Sequence, residues 1–352
     1  MYMKINKRAA AVFFLLIMLS FFTFSACEKK EKDIEDNDKD NEKEKEELTK
    51  EEMDALSIFN DIYFEQSIRE LLNQETGDIN LEDLKSMTSL DISFKGDPIN
   101  EMEKKIIRLD GLKYFPNLTE LTIDGNAVTN LNPLKDFTGL KKLSAQSCKI
   151  NDISGISELT ELEYLNLHDN RIEDITPIAK LGKVTFLDLG LNNLTNISVF
   201  ENNTFTVLKE LNLEGNRINP ILPVNTIISL EALNIANNGL SDISILKDLI
   251  NLISFTGEGN IIIDISVINN FLKLEKLYMK NNMIKEFNIT ECINLKEIYF
   301  QNNFISKVET IAALPKLEII YIDNNKIINF SPLEGKNYKE ISANENLVAF
   351  RG

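Results

Sequence analysis

Along most of this chain the apolar residues recur in one phrase, Leu-x-x-Leu-x-Leu-x-x-Asn-x-Leu or a near copy, between Asn126 and Asn346. It reads cleanly at Leu162, Leu165, Leu167, Asn170 and Ile172, and again at Leu274, Leu277, Met279, Asn282 and Ile284. A third clear copy holds Leu317, Ile320, Ile322, Asn325 and Ile327. The polar column runs Asn126, Cys148, Asn170, Asn192, Asn216, Asn238, Asn260, Asn282, Asn303, Asn325, Asn346, in steps of 21 to 24 residues. Eleven units in one register predict a repeat architecture in which each unit is a short strand followed by a turn. Alternate residues of a strand point to the same side, so the Leu positions enter a core and the x positions face solvent. One unit cannot bury its apolar side alone, whereas stacked neighbours build a continuous core and a continuous parallel sheet. The asparagine stands where the chain leaves the strand. Its amide can satisfy backbone groups that would each cost about 1 to 3 kcal/mol if buried unpaired. Cys148 fills that column once, and because a thiol is the weaker donor its turn is expected to be the softest.

The second half of each unit also repeats, as Asp152-Ile153-Ser154-Gly155-Ile156, Asp174-Ile175-Thr176-Pro177-Ile178, Asp242-Ile243-Ser244-Ile245-Leu246 and Asn329-Phe330-Ser331-Pro332-Leu333. With so few residues and with Pro or Gly interspersed, this arc has room for a turn or a short 3₁₀ segment and not for a long helix. Phrase and arc together are the leucine-rich repeat pattern. Over roughly residues 55 to 350 the chain resembles the bacterial internalin-type leucine-rich repeat family. The fold class that follows is α/β: a leucine-rich repeat solenoid with a curved parallel sheet on its concave side, short 3₁₀ or turn segments on its convex side, and an N-terminal helical cap.

The flanking segments divide the chain further. Residues 1–27 read as a signal peptide: Lys4, Lys7 and Arg8 precede an apolar run from Ala9 to Phe24, and Phe24-Ser25-Ala26-Cys27 closes it. This end resembles the lipobox of bacterial lipoproteins, which implies that Cys27 carries a diacylglyceryl group; Phe24 departs from the usual Leu. The same run also fits an uncleaved membrane anchor. Both readings put the remainder outside the cytoplasm, at the cell surface. Residues 28–50 hold 11 acids and 7 lysines and read as a disordered charged tether. In residues 51–105 the period changes: Ile58, Ile62, Ile68, Leu71 and Leu72 fall near helical spacing, and Asn80-Leu81-Glu82-Asp83 reads as an N-cap and helix start. This stretch, running into Leu90-Asp91-Ile92, resembles the helical cap of internalins, with residues 94–105 an insertion. The repeats then occupy residues 106–352. The last unit, Tyr338 to Val348, shows no cap of its own. It either caps itself through Ser342, Asn344 and Glu345 or pairs its edge with another chain, a monomer being the preferred state.

Charge and composition narrow the function. A net charge of −17 is the wrong sign for nucleic acid. Cys148 and Cys292 lie about six units apart, too far for a disulfide, and read as buried thiols. His168 is the sole histidine, and the sequence offers no nucleophile turn, phosphate loop, metal-ligand spacing or cofactor motif. Asp124, Asp188 and Glu214 share a face without converging, so hydrolysis of a glycan is the weakest reading.

Three columns of x positions face the concave side. The middle one includes Tyr278, Tyr299 and Tyr321 in consecutive units; the first adds Tyr164, Phe186 and Ile319. His168 lies beside the Tyr164 and Phe186 pair, while Lys276 and Lys280 flank Tyr278 and make that spot less acidic. The three columns together hold nine acids against three lysines, a surface that steers a basic partner toward it. Exposed aromatics anchor protein interfaces, although stacked tyrosines also simply stabilise adjacent strands. The resulting expectation is a non-catalytic, lipid-anchored module that binds a protein on its concave face, with adhesion or host interaction implied by the internalin resemblance. The alternative is an envelope scaffold that organises neighbouring surface proteins or glycan.

Overall fold

The computed structural model describes Met53, residues 57–97 and residues 99–350. The expected signal peptide ending at Cys27 and the expected charged tether 28–50 lie outside the described residues. The chain divides into two compact units, one comprising residues up to Thr88 together with Phe94–Asn117, the other Ser89–Ser93 together with Leu118 onward.

In the first unit, helix α1 (Ile62–Leu71) starts at Asp61, whose Oδ1 accepts the backbone N–H of Tyr63 and Phe64 at 3.0 and 3.1 Å. The other oxygen of Asp61 accepts Ile107 N at 2.8 Å and Arg108 N at 3.1 Å. One buried carboxylate thus caps a helix and ties down a segment more than forty residues away in sequence. Helix α2 (Leu81–Lys85) is capped by Asn80, as its sequence suggests, through a 3.2 Å bond to Glu82 N. The apolar face of α1 differs from the spacing-based expectation: Ile62 and Ile68 are buried, but Leu71 is exposed. Its place is taken by Phe64, which stacks on Phe59 at 5.1 Å and lies 6.3 Å from Phe115. Three residues of the first helical turn are buried, Ile62, Phe64 and Glu65: Phe59 and Phe115 lie against Phe64, while Glu65 accepts Ser57 Oγ at 2.8 Å and pairs with Arg69.

The second unit is a single parallel sheet whose strands follow chain order. They are β1 (Ser89–Asp91), β2 (Glu120–Thr122), β3 (Lys142–Ser144), β4 (Tyr164–Asn166), β5 (Phe186–Asp188) and β6 (Glu210–Asn212). The series continues through β7 (Ala232–Asn234), β8 (Ser254–Thr256), β9 (Lys276–Tyr278), β10 (Glu297–Tyr299), β11 (Ile319–Tyr321) and β12 (Glu340–Ser342). The sheet is therefore one strand longer than the eleven units counted in sequence. Leu90-Asp91-Ile92, read as part of the 51–105 cap segment, pairs with Leu121 in register as β1. It lacks the ladder asparagine because the stretch from Phe94 to Lys105 follows where the turn would be. The arcs between strands are mostly 3₁₀, such as Ser154–Ile156, Thr176–Lys180 and Ser244–Asp248, with one five-residue α-helical turn, α3 (Glu309–Ala313). They stack so closely that a Cβ on Gly155 would sit 1.9 Å from the carbonyl oxygen of Leu131.

The asparagine column forms a hydrogen-bonded ladder through the core. Asn170 Nδ2 donates to Ala145 O, Leu167 O and His168 O at 2.8, 3.0 and 3.2 Å, and its Oδ1 accepts Cys148 N and Ile150 N. The same pattern recurs from Asn192 to Asn346, each rung reaching back to the preceding unit. Cys148 makes two such bonds through sulfur, to Ile123 O at 3.1 Å and Gln146 O at 3.3 Å. Each rung residue is preceded by one with positive φ, among them Gly125, Asp169, Gly215, Asn237, Gly259, Asn281, Asn302 and Asn324. Gly, Asn and Asp tolerate that left-handed geometry best; Ser147, Leu191 and Glu345 are the exceptions, and Leu191, at φ 50°, is the bulky apolar one.

Candidate functional site

Strand register places the three x columns in rows across one face of the sheet. Tyr278, Tyr299 and Tyr321 are direct neighbours on β9, β10 and β11. Their rings lie flat on one another, with centroids 4.6 and 5.0 Å apart and planes within 14°. Each stacked pair contributes about 0.5 to 1.5 kcal/mol beyond area burial, so the ladder stabilises the sheet as well as facing solvent. All three side chains are half-buried. The hydroxyls run to carboxylates: Tyr299 Oη donates to Glu297 at 3.4 Å and Tyr321 Oη to Glu340. Burial, then the charge of Glu297, raises the pKa of Tyr278 and Tyr299 above the usual phenol range. The bond to Glu340 pushes Tyr321 up to about 12. The ladder is accordingly neutral near pH 7 and presents donors already engaged with acids.

Lys276 and Lys280 do not stand as free positive charges beside Tyr278. Lys276 pairs with Glu297 at 3.2 Å and Lys280 with Glu258 at 3.2 Å, so each neutralises an acid of an adjacent repeat unit. Ile319 is half-buried beside Glu297 and Glu340 in the first column.

A second aromatic stack lies toward the other end of the sheet. Tyr164 on β4 and Phe186 on β5 are 4.4 Å apart and within 4° of parallel, and Lys142 Nζ sits 5.3 Å over the Tyr164 ring. His168 Nδ1 is 3.1 Å from Asp188 Oδ1. Asp188 also accepts Gly190 N at 2.9 Å and Asn212 Nδ2 at 3.1 Å, so the histidine belongs to a polar network in the columns next to the aromatic pair. The other acids considered for catalysis tie neighbouring strands together. Asp124 accepts Ser144 Oγ at 2.8 Å, and Glu214 accepts Asn234 Nδ2 at 3.0 Å. Both core cysteines are buried free thiols, and burial pushes Cys292 up to about 12, which leaves it a poor nucleophile. Among the described residues no cluster of His, Cys, Asp or Glu could hold a metal ion.

Between the two stacks the first column falls to Ala232 and Ser254, on β7 and β8. This leaves a hollow of about 230 Å³ lined by Phe186, Asp188, Glu210, Asn212, Asn234 and those two small residues. The large-to-small step from Phe186 to Ala232 in one column was the sequence signal for it.

A leucine-rich repeat family model of two repeat copies matches residues 138–180 and 293–335. No curated protein matches the sequence. Among solved structures, an internalin (InlF) of Listeria monocytogenes is 22% identical with a TM-score of 0.60, covering 81% of this chain and 95% of its own. The functional domain of InlJ from the same organism is 22% identical with a TM-score of 0.67, over 82% of this chain; the chain spans only 60% of that domain. A leucine-rich repeat protein of Leptospira interrogans is 20% identical with a TM-score of 0.59, over 76% of this chain and 86% of its own. At these identities the likeness is one of architecture, and it agrees with the asparagine ladder, the 3₁₀ arcs and the parallel sheet: the repeats of this chain have a leucine-rich repeat fold like that of the internalin structures.

Proposed function

We propose that the repeat unit is a non-catalytic module that binds a protein ligand on the open face of its sheet. The observation that carries this is the in-register stack of Tyr278, Tyr299 and Tyr321, a rigid aromatic patch with engaged hydroxyls and an acidic rim. Tyrosine supplies large contact area with few torsions to freeze, which is why such patches serve as interface anchors. The internalin-type fold supports the same reading. In this proposal Cys27 carries the lipid that holds the module at the outer face of the cell membrane, residues 28–50 give it reach, and adhesion to another surface is its use.

Replacing Tyr278, Tyr299 and Tyr321 together by Ser tests the interface. Capture of a protein from bacterial or host surface extracts should fall at least tenfold, while the melting temperature falls by only a few degrees. Undiminished capture with a collapsed melting temperature would assign the ladder to sheet stability alone. For the anchor, Cys27→Ala should release the chain from membranes; a cleaved form that stays membrane-bound after that change sinks the lipid assignment.

A further inference from the structure

Phe186 has two ring faces, and only one is covered by Tyr164. The outer face of Tyr164 carries the chain's own cation, Lys142. On the opposite side of the stack the register neighbour is Glu210, an exposed carboxylate that forms no ion pair among the described residues. An aromatic face is the negative pole of the ring quadrupole, so a carboxylate beside it is an unfavourable neighbour that a cation between the two would relieve on both sides. The hollow opens at that point, Asp188 adds a second acid to its wall, and no lysine, arginine or histidine lines it. At about 230 Å³ it is below the size of small-molecule pockets and suits one long side chain.

We propose that this hollow receives the side chain of an arginine presented by the docking protein, its guanidinium flat on Phe186 and forked toward Glu210. Arginine fits better than lysine because a planar guanidinium stacks on the ring while directing N–H groups in the ring plane to a carboxylate. The carboxamide oxygens of Asn212 and Asn234 each accept one backbone N–H, from Glu214 and Ala236, and retain a second lone pair for the remaining donors. This deepens the protein-binding reading and rests on it: the tyrosine ladder supplies contact area, and the hollow selects a basic residue about four strands away.

The test is titration of the full-length chain with N-acetyl-arginine amide, followed by the side-chain amide resonances of Asn212 and Asn234. The neutral isostere N-acetyl-citrulline amide is the comparison. Saturable shifts are expected with the arginine probe, with at least tenfold weaker binding of the citrulline one. Glu210→Gln, exposed and isosteric, should weaken the arginine response at least tenfold, Ala232→Trp should abolish it by filling the hollow, and Glu258→Gln elsewhere on the face should leave it intact. Equal responses to the two probes, an arginine response that survives both substitutions in the hollow, or an equal loss in Glu258→Gln overturns the proposal. The two readings fail separately. A chain that captures its partner but ignores the probe loses the pocket alone, whereas one that binds the probe and captures no protein loses the interface reading alone.

Discussion

Changing Cys148 to Asn should make the protein more stable, although it puts a larger polar group into a fully buried position. The site is already built for it: nine later rungs hold an asparagine between 1 and 8% exposed or at the open end of the sheet, with the same backbone groups around it. By repeat register the N–H of Val128 is the counterpart of Ile150 N, which bonds an Asn170 oxygen at 2.8 Å, so an amide at position 148 would offer it an oxygen. Cys148 donates to Ile123 O through one weak S–H where an amide donates through two N–H groups. Regaining one full acceptor and strengthening one donor, at about 0.5 to 1.5 kcal/mol per hydrogen bond, gives about 1 to 2 kcal/mol. For a repeat unit of this size that corresponds to roughly 2 to 4 °C in melting temperature. Calorimetry reads the shift, and hydrogen exchange at the Val128 amide reads its place, with protection expected to rise roughly fivefold to thirtyfold by the same energy. A lower melting temperature, or a rise with unchanged exchange at Val128, would refute the account of the ladder as a set of interchangeable rungs.

Leu191→Asn should stabilise by about 0.5 to 1 kcal/mol, since it relieves a left-handed backbone at a side chain nearly half exposed; a loss of stability in urea melts would show that Leu191 packing outweighs the strain. Asp61→Ala should destabilise the first unit by about 3 kcal/mol or more, because four backbone N–H groups lose a buried carboxylate, and thermal melts that move by less than a degree would contradict that. The phenol of Tyr321 is held protonated by Glu340. Because its folded pKa lies above the unfolded one, that contribution is complete below about pH 10 and is lost as pH rises toward about 12. Absorbance titration should show Tyr321 among several tyrosines that ionise late, and Glu340→Gln should move one of these late ionisations down toward the ordinary range; an unchanged curve would disconnect the pair.

The sheet, its register and nearly all of its core were legible because one rule, apolar at fixed offsets with asparagine after, is repeated with little drift. The rule also hid what breaks it. The strand at Ser89–Asp91 carries Leu90 and is followed by Ile92 but has no asparagine at the turn, so counting asparagines undercounts strands. The Gly and Asn residues preceding the rungs carried a readable signal for positive φ. The tyrosine ladder and the Tyr164 and Phe186 pair followed from register alone, since residues at equal offsets on adjacent parallel strands must be neighbours. Pairing of Lys276 with Glu297 and Lys280 with Glu258 was less accessible. A long side chain on a sheet face can reach forward, backward or into solvent, and spacing does not choose among them. Asp61 was hidden for a related reason: its four partners come from two segments whose meeting is a tertiary fact.

From Asn170 onward the ladder bonds each unit to the one before it in the same way, and this makes the sheet a ruler. Phe186 and Tyr278 stand four strand steps apart, about 19 Å at ordinary strand spacing. Deleting one whole unit between them would leave every remaining rung a partner of the same kind and shorten the interval by about 4.8 Å. Such a protein can change the distance between two points of attachment in fixed increments without redesigning either point, and so can keep its anchors while altering which spacing of features it matches.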